Sequence, residues 1–350
     1  MILNMQNEHD TIVLVASPNC QAGNYAIVDE IVYNLPDYNV SYLPRGFFDF
    51  TGGRPKPIEL YNAKTGVKTR KCIIPGDRMD VQILDSSSIQ HCKQYFGANG
   101  FKGVIAIGGH KTLTNALQFK HAGIPVIGIP NAPNLDVKGT DYCVGFDGYV
   151  ESWYQRGFDY IEKLKTDRMV GVLEIPNHDS SITTIAIGLA LKACYICAPD
   201  VLIDLHEMAE RVKYAHKHRG WALVIANQTV KASETDLANG KPEKIVFEEG
   251  KAGRMIGKMM KSLTGLSTEY PRFGFFHNSK ETSRDTILGL RCGKKAAELV
   301  RAEQWWGLMV SIRGEKILSV PLDNFQSDQR LQSDSYWYDL LLSRNSGKSQ

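Results

Sequence analysis

GVIAIGGHKTLTNALQFKHAGIPVIGIPNAPNLDVKGTDYCVGFD, residues 103–147, is the stretch whose reading decides the fold of this chain. Val104-Ile105-Ala106-Ile107 reads as a buried strand. Gly108-Gly109 follows as a tight turn, and the pattern opens a helix at Thr112. A second buried strand, Pro125 to Ile129, runs into the loop Asn131-Ala132-Pro133-Asn134-Leu135-Asp136. Two parallel strands whose carboxyl ends carry adjacent loops form the usual ligand crevice of an α/β sheet.

The same alternation extends outward. Thr11 to Ser17 has the continuous apolar character of a parallel strand buried on both faces, and Tyr25 to Asn34 reads as the helix after it. Phe48 to Ile74, rich in Gly, Pro and Lys, reads as exposed hairpins or loop. Ser86 to Phe96 is a helix. Val150 to Lys165 is an amphipathic one, with Trp153, Phe158, Ile161 and Leu164 expected on one side. Strands at Val170 to Ile175, Val201 to Ile203, Ala222 to Ala226 and Gly307 to Ile312 alternate with helices at Thr183 to Ala193, Glu207 to His218, Arg254 to Leu263 and Asp285 to Gln304. Ser233 to Glu249 reads as polar loop, and the final SRNSGKSQ as frayed. Such alternation predicts an α/β protein with mostly parallel sheets flanked by helices.

The bulk numbers exclude several classes. A chain of 350 residues buries a large core and is expected to form two lobes. Hydrophobic content of 43% and charged content of 23% are those of a soluble globule, and a net charge of +3 makes no case for nucleic acid or a membrane surface. No apolar run has the length of a bilayer span, and MILNMQNEHD lacks the regions of a signal peptide. Seven scattered cysteines, several on apolar segments, suggest reduced thiols and a cytoplasmic location. Cys194 and Cys197 form a CxxC inside AIGLALKACYICA, where buried core thiols outweigh redox or zinc chemistry.

Two spaced motifs carry a family resemblance. Gly108-Gly109-His110-Lys111-Thr112 is similar to the GGDGS loop of the ATP- or pyrophosphate-dependent phosphofructokinases (GGDDS in the pyrophosphate users). Ala132 to Asp136 resembles their TIDND loop, followed by an intact Lys138-Gly139-Thr140-Asp141-Tyr142 and Gly145-Phe146-Asp147. The resemblance covers roughly Thr11 to Phe325. It implies a two-lobed phosphofructokinase-like fold, with residues 1–145 and 277–326 in one lobe, 146–276 and 327–350 in the other, and an active cleft between them. It also implies dimers or tetramers, as a homo-oligomer or with a related chain, and magnesium with ATP or pyrophosphate if any kinase activity remains.

The departures fall where the family's chemistry would be. Phosphoryl transfer needs a phosphate cradle, a metal ligand, a base and cations around the transferring group. The family's glycine turn after the first strand is here Ser17-Pro18-Asn19-Cys20-Gln21-Ala22-Gly23; Pro18 offers no N–H and Asn19 adds a side chain. His110 replaces the aspartate of GGDGS, and imidazole is a poor magnesium ligand. Asn134 stands where the resemblance places the general base, and an amide takes no proton at neutral pH. That loss alone typically costs about 10²–10⁴ in rate. Asp136 is retained and is the possible metal ligand. After Glu174 the family's MGR becomes Ile175-Pro176-Asn177-His178, and its AEG becomes Ala226-Asn227-Gln228. The His and Arg of its GHxQRGG segment become Phe275 and Asn278, and its subunit-crossing arginine falls at Met169, next to Arg168. Gly109, His110, Lys111, Thr112, Asp136, Asn177, His178, Asn227 and His277 remain as candidate ligand-binding residues.

Three functions fit this pattern: a member without turnover that works by assembly or ligand sensing, a divergent kinase with an altered acceptor, or a metal-assisted enzyme using His110, His178 and His277 in the same cleft. Lys111-Thr112 at a helix start suits an anion, although an exposed lysine at an ordinary helix start is the plainer reading. Asp204-x-His206-Glu207 offers metal ligands or, more simply, a helix cap. Lys213 to Arg219 reads as a solvated basic helix end rather than a nucleic-acid site. Trp305, Trp306, Trp337 and Tyr338 are large residues suited to subunit contacts.

Overall fold

The computed structural model describes residues 10–16, 22–50, 57–68, 82–135, 137–176, 180–235, 242–247, 250–271, 281–325, 331 and 333–346. The chain opens with β1 (Thr11–Ala16), α1 (Asn24–Asn34), β2 (Asn39–Leu43), β3 (Ile58–Asn62), β4 (Val67–Lys68), α2 (Ser86–Asn99), β5 (Phe101–Gly108), α3 (His110–His121) and β6 (Val126–Pro130). It continues through α4 (Phe146–Asp167), β7 (Val170–Ile175), α5 (Ser181–Ala190), β8 (Tyr195–Cys197), β9 (Leu202–Asp204), α6 (Leu205–Arg219) and β10 (Ala222–Asn227). Next come β11 (Lys231–Thr235), β12 (Pro242–Val246), α7 (Ala252–Thr264) and β13 (Thr268–Glu269), and last α8 (Ser283–Arg301), β14 (Trp306–Arg313), β15 (Lys316–Pro321) and α9 (Tyr336–Ser346). The backbone divides into two compact units, Met1–Tyr149 with His277–Asp328, and Val150–Phe276 with Gln329–Gln350.

The first unit holds one sheet of order β15-β14-β6-β5-β1-β2-β3-β4. From β14 to β2 its strands are parallel; β15, β3 and β4 are antiparallel edges. All six residues of β1 are buried, because helices cover both faces of the sheet. Ile12 and Leu14 pack with Ile27 and Ile31 of α1 and Ala296 of α8, while Val13 and Val15 pack with Phe96 of α2 and Phe119 of α3. Alternate residues of one strand thus feed two cores. Helices α1 and α8 approach closely because Gly289 and Gly293 lie one turn apart; a methyl group at Gly293 would sit 2.5 Å from the Ile27 carbonyl oxygen.

The second unit contains a parallel sheet, β13-β7-β10-β8, and a three-stranded sheet, β12-β11-β9. Its core gathers Val172, Val224, Met208 and Ile256 from β7, β10, α6 and α7.

Several expectations are corrected. Residues 46–50 form a short 3-10 turn whose Phe47 and Phe50 are buried against Phe119, so the start of 48–74 is core rather than exposed, whereas Ile58–Asn62 and Val67–Lys68 do form a hairpin. Segment 233–249 contributes to the hairpin β11–β12, because polar residues also form backbone ladders, and β propensity depends on context. Helix α3 begins at His110, two residues before Thr112, and α4 begins at Phe146, four before Val150. Phe158 is 48% exposed, and Tyr160 is buried with Trp153, Ile161 and Leu164 instead. Trp305 is 2% exposed under Gly103, which removes it from the surface. The SRNS of the tail belongs to α9, and Asn345 is buried.

Candidate functional site

The loops at the carboxyl ends of β5 and β6 meet in the first unit, with Ala22, ahead of α1, bonded to the second of them. The backbone of Gly109 leaves β5 extended, and α3 starts at the next residue without a side-chain cap. A methyl group at Gly109 would lie 3.1 Å from Ala132 Cβ, so the loops after β5 and β6 touch. Asn131 N–H donates to Gly108 O at 3.1 Å, and Ala132 N–H donates to Val144 O at 2.9 Å. Asn131 is buried; its Nδ2 donates to Ala22 O at 3.1 Å, tying in the segment that leads to α1. Its Oδ1 has no hydrogen-bond partner among the described residues. Gly23, with φ of 79°, precedes α1 and likewise carries no side-chain cap.

The candidates from the sequence fall on this frame as follows. Gly109 and His110 are half-buried, and the His110 ring packs on Phe325 with centroids 5.3 Å apart. Lys111 is exposed and Thr112 is buried. Asn134 is half-buried in the loop beyond Asn131. Asp136, Asn177, His178 and His277 lie outside the described residues, so the placing of three histidines together does too. Magnesium takes oxygen ligands, usually carboxylate and water. The described parts of these loops, 108–112 and 131–135, supply imidazole, ammonium, hydroxyl and amide groups and no carboxylate, so they do not fit that ion by themselves. Among the described residues no group of three or more His, Cys, Asp or Glu is arranged to hold a metal.

The intact run after this loop does structural work. Thr140 Oγ1 donates to Tyr142 O at 2.8 Å and accepts from Ile312 N–H at 3.0 Å; Ser311 Oγ donates to Gly139 O at 2.5 Å. Asp141 pairs with Arg313 and accepts from Gly314 N–H at 3.1 Å, holding the β14–β15 turn. Tyr142 OH donates to Asp147 Oδ1 at 2.7 Å, and the Arg284 guanidinium lies over the Tyr142 ring. Burial raises the Asp147 carboxyl above its ordinary range, opposed by the Tyr142 hydroxyl and Arg284. The Tyr142 phenol is raised as well, by burial first and then by Asp147.

Asp285 organises the start of two helices. Its Oδ1 accepts from Gly145 N–H and its Oδ2 from Gly148 N–H, both at 2.8 Å, at the opening of α4. Oδ2 also accepts from Thr282 Oγ1 at 2.6 Å and Thr282 N–H at 3.3 Å, completing a capping box on α8. The spacing Thr282-x-x-Asp285 signals that box; the sequence has no signal for the reach across to Gly145 and Gly148.

In the second unit, Asn227 closes β10. Its Nδ2 donates to Thr184 Oγ1 at 2.9 Å, and its Oδ1 accepts from Thr229 N–H at 3.0 Å and Thr229 Oγ1 at 2.8 Å. Both ends of a fully buried amide are engaged by the fold, which leaves it little for a ligand. Glu174 Oε2 accepts from Gly253 N–H at 2.6 Å at the start of α7. Asp204 caps α6 through His206 N–H and Glu207 N–H, which accounts for that triplet without a metal. Cys194 and Cys197 are buried free thiols; burial pushes Cys194 up to about 11 and Cys197 higher still.

No helix among the described residues is long and apolar enough to cross a membrane. Residues 12–300 match the sequence model described as phosphofructokinase. The chain is 28% identical over 319 residues to the pyrophosphate--fructose 6-phosphate 1-phosphotransferase of Dictyoglomus thermophilum, covering 89% of this chain and 91% of that protein. It is 28% identical over 250 residues to the Thermoproteus tenax protein of the same name, covering 69% and 73%. In fold it is similar to a pyrophosphate-dependent phosphofructokinase from Marinobacter aquaeolei, with a TM-score of 0.74 at 16% identity over 97% of this chain and 92% of that one.

Proposed function

The chain belongs to the phosphofructokinase family, and from that premise we propose that it has lost 6-phosphofructokinase turnover and acts in an oligomer by assembly or ligand sensing. The observation that carries this reading is the pair of neighbouring loops after β5 and β6. They present His110, packed on Phe325, and the amide of Asn134, at positions where the family motifs carry carboxylates. An amide accepts no proton at neutral pH, and imidazole does not replace a carboxylate on magnesium. The substitutions at Pro18-Asn19, Pro176-Asn177-His178, Phe275 and Asn278 point the same way in sequence, since a phosphate dianion needs several cations or backbone donors. Retention of Thr140, Asp141 and Asp285 fits a frame kept for folding, because each is bonded within the first unit.

A second reading rests on the names of the relatives, which are those of phosphotransferases: a divergent kinase using ATP or pyrophosphate with magnesium at Asp136 and an altered acceptor. One assay separates the two. Purified protein is incubated with fructose 6-phosphate, ATP or pyrophosphate, and magnesium, and product is followed. We expect no turnover above a mock purification. Turnover that disappears in Asp136→Ala would replace the first reading with the second.

A further inference from the structure

Two helices pack on β8 in the second unit. Met208 of α6 has its Sδ 3.8 Å from Cys197 Sγ, and Asn345 of α9 bonds Ile196 N–H and O at 2.9 and 3.0 Å. Both helices bring arginine to the amino end of the strand. Arg344 precedes Asn345 on α9, and Arg211 and Arg219 belong to α6. Cys194, which leads into β8, donates its N–H to Leu223 O at 2.8 Å, so the starts of β8 and β10 meet there. Arg211, Arg219 and Arg344 are all close enough to Cys194 to interact with its thiol. Arg219 also donates from Nη1 to Lys192 O at 3.2 Å and lies over the Trp221 ring.

The charges of this cluster are unbalanced. Arg344 is half-buried and makes no hydrogen bond or ion pair among the described residues. Arg211 is half-buried too, and its Nε is fully enclosed with no hydrogen-bond partner among them. Burial, then Arg219 and Arg211, holds the Arg344 guanidinium below its ordinary pKa, and no carboxylate is among the groups that act on it. A helix end favours a cation, which accounts for Arg219 at the end of α6 and Arg344 in the last turn of α9. It does not account for Arg211, midway along α6. A guanidinium withdrawn from water has five N–H donors to satisfy, and a bound anion satisfies them while offsetting the repulsion.

We propose that Arg211, Arg219 and Arg344 form a binding site for a phosphate group, free or carried by a small metabolite. The planar guanidinium fork matches a pair of phosphate oxygens, and a dianion answers more than one cation. Arginine at all three positions suits such two-pronged recognition better than the point charge of lysine. The cluster stands at the amino ends of β8 and β10. Asn227 and Glu174 stand at the carboxyl ends of β10 and β7, the side on which α/β sheets ordinarily bind ligands. The arginines are therefore a second site, made of residues other than the candidates described above. It stands whether or not the chain turns over a sugar phosphate.

Isothermal titration of the full chain at low ionic strength tests the site, with inorganic phosphate and methyl phosphate as probes. The wild type should bind at least one of them saturably, in the low millimolar range or tighter. Preference for inorganic phosphate marks a site for the free ion; equal or tighter binding of the ester marks a site for a phosphoryl group. Arg344→Gln and Arg211→Gln should each weaken binding by about tenfold or more, whereas Lys258→Gln, which removes an exposed cation of α7, should leave it unchanged. No saturable binding by the wild type would overturn the proposal. So would binding that Lys111→Ala weakens and the arginine variants do not, which would place the phosphate at the loops after β5 and β6. If circular dichroism shows an arginine variant unfolded, phenylglyoxal modification of the wild type decides. Phosphate should protect Arg344 and Arg219, read by peptide mass, and leave the exposed Arg254 of α7 unprotected. Protection absent at Arg344, or equal at Arg254, would refute the site.

Discussion

Replacing Asp285 by asparagine keeps the shape of the side chain and removes its charge. Oδ2 serves Gly148 N–H, Thr282 N–H and Thr282 Oγ1, whereas Oδ1 serves Gly145 N–H alone. The amide nitrogen of the variant will therefore take the Oδ1 position and face the Gly145 N–H, donor against donor. One hydrogen bond to a charged group is lost, worth about 1.5–3 kcal/mol, and the buried Gly145 N–H is left unsatisfied. The surviving oxygen also becomes a weaker, neutral acceptor for Gly148 and Thr282. The sum is about 2–4 kcal/mol for Asp285→Asn. Asp285→Ala, which strips both helix starts, should lose more, about 4–6 kcal/mol. Equilibrium urea unfolding by far-UV circular dichroism measures both. With a slope of about 2–3 kcal/mol per molar, the first variant should move the midpoint down by about 1 M in the transition that reports the first unit. A midpoint within 0.2 M or so of the wild type, or an alanine variant no worse than the asparagine one, would show that Asp285 does not hold α4 and α8 as its bonds indicate.

Gly293→Ala places a methyl group against the Ile27 carbonyl and should destabilise the chain by about 1–3 kcal/mol by thermal or urea unfolding, although alanine is the better helix former. Asp147 has a carboxyl pKa raised by burial, so its folded form favours the proton. The resulting stability is fully present below the unfolded pKa, about 3.9, and is lost as pH rises through the folded value. Asp147→Asn, which keeps an acceptor for Tyr142, should therefore be more stable than the wild type at pH 7, with the gap closing toward pH 4; a gap that widens on acidification would reverse the sign of this assignment.

The fold was legible wherever parallel strands run apolar between helices. Thr11–Ala16, Val104–Ile107, Val170–Ile175 and Ala222–Ala226 all lie within strands, because burial on both faces writes itself into a strand's composition. What escaped were elements without that signature. The strand Lys231–Thr235 is rich in polar residues, the strand Tyr195–Cys197 is too short to show a period, and the helix Tyr336–Ser346 buries two residues only. In the site, sequence motifs located the loops around Gly109 and Asn134. They did not reveal that Asn227 is engaged by Thr184 and Glu174 by Gly253, since those bonds join residues far apart in the chain.

The stitch between Thr140 and Ile312 also has a schedule. The two partners are 172 residues apart, and a ribosome adding roughly 5–20 residues per second needs about 9–34 s to deliver the second after the first. For that interval β6 has no β14 beside it, and Thr140 and Asp141 wait for partners not yet made. The middle of the chain, Val150–Phe276, is synthesised entirely within the delay. The nascent first unit therefore carries an open apolar sheet edge at Val126–Pro130 while the second unit emerges, and its sheet closes last, when Trp306–Arg313 arrives.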